Sequence, residues 1–199
     1  QENVIRNQLE LDEGDPFSEI LTNKSQNNIK SLNFFKNVDS KIIIDNENNT
    51  KSIDISVEEK PTGEIYASAG AGTSGASFGF GIKENNFLGN GIGLDSNFLI
   101  STSSFKGKFS VRNPNFNNTD KSLFVNLQAI EIDQLKNFGY KTSKNGFTLG
   151  TSFEYLKDFN LGLSTETFIE KIETDTTASA RQKKQAGNYF DSFIDLSFN

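Results

Sequence analysis

The chain has no cysteine and no histidine. Their absence excludes disulfides, zinc sites and histidine acid–base chemistry. It has no methionine and opens at Gln1. Its first residues do not follow the basic, apolar, small-residue pattern of a signal peptide. The expectation is a piece of a longer precursor. No apolar run approaches the ~18 residues that a membrane-spanning helix needs. Positive charge is in deficit, with 20 Lys and Arg against 26 Asp and Glu, a net charge of -6 and a pI of about 4.8. That balance argues against a nucleic-acid partner. Mean hydropathy is -0.50, with 34% hydrophobic residues. Such values look soluble, yet a membrane barrel gives the same ones, because only alternate residues of its strands face lipid.

From Gly63 to the end of the chain, apolar and polar residues alternate in strand after strand. Phe78, Phe80 and Ile82 interleave with Ser77, Gly79, Gly81 and Lys83. Phe105, Phe109 and Val111 interleave with Lys106, Lys108, Ser110 and Arg112. Successive side chains on a strand point to opposite faces, so each strand has one apolar and one polar face. The pattern predicts eight strands, at 62–72, 75–83, 91–101, 105–113, 122–133, 146–156, 159–173 and 189–199. Turns at 73–74 and 158 read as tight, 115–121 as moderate, and 84–90 and 174–188 as longer, which suggests short turns on one rim and long loops on the other. The alternation permits two architectures, an up-and-down outer-membrane barrel sheet or a soluble β-sandwich. Strand length and meander order favour the barrel.

Residues 1–60 read differently. Val4, Ile5 and Leu9 sit at helical spacing, and a second amphipathic helix of about 15 residues, opened by Pro16 and Ser18, carries Ile20, Ile29 and Leu32. A loop at 12–16 separates the two. Strands at 41–45 and 53–57 follow, joined by a turn at 46–49. A small module with helix–helix–strand–strand order results, with Ile20, Ile29, Leu32, Phe35, Ile43 and Ile55 expected to share its core. The whole fold is therefore α+β, a small α/β module at 1–60 followed by an antiparallel up-and-down sheet at 61–199.

Several chemistries can be set aside. Ser68, Ser77 and Ser110 have no histidine for a triad. Asp191 and Asp195 share a strand face and suit a solvated surface better than a glycosidase pair. Gly70-Ala71-Gly72 does not open a helix, so it is no dinucleotide loop. The acidic run from Asp12 to Asp15 lacks calcium-loop spacing. No enzyme, cofactor or metal is expected.

Four segments carry a family resemblance. Leu32-Asn33-Phe34-Phe35-Lys36-Asn37-Val38 between helix and strand resembles the helix-to-strand segment of POTRA domains, in which a leucine precedes Phe-Phe-x-x-Val. Val57 to Gly63 resembles the junction between a last POTRA domain and a barrel. Asn86-Phe87-Leu88-Gly89-Asn90-Gly91 resembles the turn after a second barrel strand, and Asn113-Pro114-Asn115-Phe116 the turn after a fourth. Their order and intervals resemble those of the BamA family of outer-membrane assembly factors, over nearly the whole chain. Two departures stand out. The family's POTRA domain opens with a strand that is missing here, and its barrel has about twice as many strands.

The resemblance implies a fragment, most of a last POTRA domain plus the first half of a barrel. It implies a non-enzymatic insertase in the bacterial outer membrane, with the POTRA part in the periplasm. Its implied partners are outer-membrane lipids, unfolded β-barrel clients and accessory assembly lipoproteins. It places a lateral-gate strand at Gly63, Ile65, Ala67, Ala69, Gly70 and Gly72. It places a POTRA core at Ile29, Leu32, Phe34, Phe35 and Val38, and turn motifs at Asn86, Leu88, Gly89, Gly91, Asn113, Pro114 and Phe116. The alternatives are a POTRA-barrel translocation channel, of the TamA or two-partner secretion type, and a soluble sandwich that binds a ligand.

Overall fold

The computed structural model describes residues 2–72, 75–156 and 159–198. The turns expected at 73–74 and at Asp158 lie outside them, as does Asn199. The chain divides into two units, Gln1–Gly63 with Asn85–Gly91, and Glu64–Glu84 with Ile92–Asn199. The division thus falls after Gly63 rather than after Lys60, and the turn motif at 85–91 groups with the first unit.

The first unit opens with a short helix, α1 (Glu2–Arg6), and a longer one, α2 (Glu19–Ser31). Ser18 caps α2, its side chain accepting the Leu21 N–H, which supplies a partner for one of the free amides at a helix start. Ser25, buried in α2, donates to Leu21 O at 2.9 Å and accepts from Glu10 N at 2.8 Å, fastening the loop to the helix. Gln26 donates to Val38 O at 2.9 Å and fastens the helix to the sheet. That sheet is a hairpin of β1 (Phe35–Asp45) and β2 (Thr50–Glu59).

Strand β1 starts six residues earlier than the sequence suggests, counting from 35 to the expected 41. The register shifts between Phe35 and Asn37. This bulge puts Phe35 and Val38, three residues apart, on the same side, whereas regular alternation would oppose them. Ile29, Phe34, Phe35 and Val38 form the buried cluster, with Val4, Ile5, Leu9, Leu32, Ile55 and Val57 packed against it. Ile20 and Ile43 stand outside it, 80% and 56% exposed. Ile43 pairs with Ser52 on the face opposite Ile42, so the Ile42-Ile43-Ile44 run cannot all point inward.

The hairpin turn is held by Asp45. Its carboxylate accepts from the Asn48 side chain at 2.8 Å and from the Glu47 and Asn48 amides at 2.9 and 3.2 Å. The Asn48 amide side chain, then the Asn48 and Glu47 backbone N–H groups, hold its pKa below the usual aspartate value. A group depressed on folding stabilises the fold above its unfolded pKa, and that contribution is lost as pH falls through the folded value. A carbon-13 titration should show the Asp45 carboxyl titrating below ordinary aspartates, and a midpoint at or above them would contradict the turn geometry.

The second unit is an antiparallel meander. Its strands are β3 (Gly63–Gly72), β4 (Gly75–Phe87), β5 (Ile92–Ser101), β6 (Ser104–Asn113), β7 (Lys121–Gln134), β8 (Tyr140–Leu156), β9 (Phe159–Thr174) and β10 (Gly187–Phe198). They lie in one sheet in sequence order, with β3 and β10 at its two ends. All eight correspond to the strands expected from alternation. Two differ by more than two residues at one end: β4 runs to Phe87 instead of Lys83, and β8 starts at Tyr140 instead of Gly146. Connections after β4, β6 and β8 leave one end of the sheet, and those after β5, β7 and β9 leave the other. Lengths do not segregate by rim as expected, since 102–103 and 175–186 share one end.

Candidate functional site

The register sorts side chains onto two faces. Phe109 pairs with Leu127, Leu127 with Phe147, Val125 with Leu149, Phe153 with Leu161, and Leu163 with Leu196. Directly paired residues share a face, so these residues form one apolar surface across β6 to β10. Phe80 stacks on Phe98 at 5.0 Å, and Phe98 lies 6.4 Å from Phe105, which extends the surface through β4 and β5. On β9 this surface runs from Phe159, which stacks on Phe198, to Ile169. At ~3.4 Å per residue that is roughly 34 Å along the strand, or roughly 26 Å after a tilt of ~40°, close to the ~25 Å apolar band of outer-membrane barrels. Beyond it the same face turns charged, with Lys141 bonded to Glu131 at 2.8 Å and Lys171 paired with Glu173.

The opposite face carries Lys106, Lys108, Arg112, Asn126, Gln128, Glu166, Asp191 and Asp195. Gln128 donates to Glu166 at 3.0 Å. Asp191 and Asp195 lie opposite Phe168 and Ser164. Four residues of strand separate them by roughly 13 Å, beyond the reach of paired-carboxylate hydrolysis. This face also holds aromatic rings over glycines. A Cβ on Gly81 would collide with the Tyr66 ring, and one on Gly150 with Phe124. Phe168 stacks on Phe193 at 5.7 Å, and the Lys144 ammonium lies 3.4 Å from the Phe168 ring centroid.

Gly63, Ile65, Ala67, Ala69, Gly70 and Gly72 lie on β3, where all ten residues are exposed. Beyond Tyr66 the strand has no large side chain. Among the described residues it is an end strand of the sheet, so one row of its backbone groups faces no other strand. The small-residue signature pointed to this strand but passed over Tyr66, whose signal is a ring facing a glycine on the neighbouring strand.

The turn motifs are well formed. Asn86 accepts the Gly91 N–H at 2.7 Å, and Gly89 N–H donates to Asn86 O at 2.9 Å. Leu88, Gly89 and Gly91 all have positive φ. A Cβ on Gly91 would rest against Val4 and Phe34, so this turn packs on the core of the first unit. Asn113 accepts the Asn115 N–H at 3.2 Å across Pro114, and Phe116 opens a single 3-10 turn. Two short helices on the other rim, α3 (Leu135–Phe138) and α4 (Ala180–Lys184), are too brief to show a helical period, although Ser179 and Gln182 form a capping box at α4.

A small helix-on-hairpin domain followed by a long-stranded open meander with one continuous apolar face defines a class: a POTRA-type module joined to outer-membrane barrel strands. The family model described as POTRA, surface antigen variable number repeat, matches residues 1–60. Among solved structures, the crystal structure of BamA from Haemophilus ducreyi lacking POTRA domains 1–3 is similar, with a TM-score of 0.76 and 21% sequence identity over 100% of this chain. This chain spans 41% of the length of that one. The likeness establishes the fold as that of a BamA-like POTRA-plus-barrel fragment.

Proposed function

We propose that this chain is part of a non-enzymatic insertase that folds β-barrel proteins into the bacterial outer membrane. The POTRA part stands in the periplasm and the strands span the bilayer. One observation carries the reading: from Ala67 to Gly72 the exposed first strand of the sheet, β3, has only small residues and no bulky cross-strand anchor to hold a neighbour. Free N–H and C=O groups on a strand edge template an incoming strand by β-augmentation. The apolar face suits contact with outer-membrane lipid. Unfolded barrel clients and accessory lipoproteins are the partners, and no energy source is needed if client folding runs downhill.

The test is site-specific crosslinking in the full-length protein during assembly. Cysteines at Ala67 or Ala69 should form disulfides with a client's terminal strand. Crosslinks confined to interior strands such as β7 would defeat the edge mechanism. Crosslinks to an extended passenger at Lys106 and Gln128, with none at β3, would favour a translocation channel instead.

A further inference from the structure

We propose that the two joined loops on the rim of α3 and α4 hold the phosphate of an anionic lipid headgroup. The inference rests on the membrane reading above. The loops form one platform. The Asp175 N–H donates to Gly139 O at 2.8 Å. Gly139 has φ of 73°, and a Cβ there would collide with the Ala178 backbone and the Asp175 and Thr177 side chains. Ala178 is buried at this junction. The Asp175 carboxylate accepts the Thr177 N–H at 2.7 Å and its hydroxyl at 2.6 Å. The capping box fixes the start of α4. Little ordering entropy remains to be lost when a ligand binds such a platform.

The platform is basic in an acidic chain. Residues 135–139 and 175–186 contain Lys136, Arg181, Lys183 and Lys184 against the one carboxylate of Asp175, a balance of 4 − 1 = +3 where the whole chain is -6. Among the described residues, Lys136, Arg181 and Lys184 form no ion pair, while Lys183 Nζ donates to Thr176 O at 2.7 Å. An arginine fork and neighbouring ammonium groups suit phosphate oxygens.

Position selects a lipid over an acidic protein. The apolar face ends at the paired Ile169 and Phe190, followed by the charged collar of Glu131, Lys141, Lys171 and Glu173. The loops begin just past that collar, at headgroup height. Phe138, 61% exposed beside Lys136, offers a ring of the kind found at membrane interfaces.

The experiment places the full-length protein in nanodiscs of mixed phosphatidylcholine and phosphatidylglycerol and counts retained lipids by native mass spectrometry. R181Q/K184Q should lose retained phosphatidylglycerol relative to phosphatidylcholine by at least about fivefold, the factor expected of one surface charge near an anionic bilayer. Raised salt should act likewise on the unmodified protein. The charge-conserving R181K/K184R should retain the lipid, because Ser179 and Gln182 still cap α4. Equal retention by R181Q/K184Q and the unmodified protein overturns the proposal. Heat-modifiable gel migration reports barrel insertion separately. An inserted barrel with unchanged retention sinks this inference alone, whereas failure to insert sinks the membrane reading and this inference with it.

Discussion

Replacing Phe35 with alanine is expected to unfold the amino-terminal unit. Phe35 is 8% exposed and packs with Ile29, Phe34 and Val38, in edge contact with Phe34 at a centroid distance of 6.4 Å. Removing a buried phenyl ring costs ~3–5 kcal/mol, part transfer and part cavity. A unit of this size has only a few kcal/mol to lose. The bulge at Lys36 sharpens the effect, because it exists in a strand whose inward residues are Phe35 and Val38. Amide hydrogen exchange should show protection lost across α2, β1 and β2 together. A change below about 1 kcal/mol would place Phe35 outside the core.

Phe109→Arg should be the most damaging single change on the sheet. Phe109 pairs with Ser96 on one side and Leu127 on the other, midway between the apolar limits of β6. A guanidinium near the bilayer midplane costs ~2–4 kcal/mol, falling toward zero near the interfaces. Spin labels at 78, 80, 105 and 109 should relax with oxygen, and labels at 106 and 108 with a water-soluble agent. Water access at 78 and 80 would return the sheet to the soluble sandwich. Lys108→Arg, on the other face, should be neutral in the same measurement.

The strands were legible because period-two alternation has one physical source, a face that must be apolar. Their ends were not. Glu84-Asn85-Asn86 and Lys141-Thr142-Ser143-Lys144 have little strand preference, yet ladders to the neighbouring strands carry them: Lys141 pairs with Asp133 and Glu173, and Lys144 with Ile130 and Glu170. Tertiary pairing overrode propensity there. The bulge at Lys36 hid the start of β1 by breaking the alternation. Ile20 and Ile43 looked like core residues by type alone, and both are exposed because a helix and a hairpin each bury one side. The β3 signature was visible as a run of small residues. The loop junction at Gly139 was not, since its partners at 175–178 are distant in sequence.

The composition of β3 also bears on how a neighbouring strand would find its place. From Ala67 to Gly72 one face repeats alanine and the other runs serine, glycine, glycine. A slip by one residue would exchange the faces, but a slip by two would leave nearly the same surface. Only Glu64, Ile65 and Tyr66 over Gly81, all near its start, mark an absolute position along the strand. The free side of β3 is a ruler with almost no graduations. It specifies direction and spacing but hardly any offset, so on the proposed edge mechanism an incoming strand's own large residues would set where the two chains stop relative to each other.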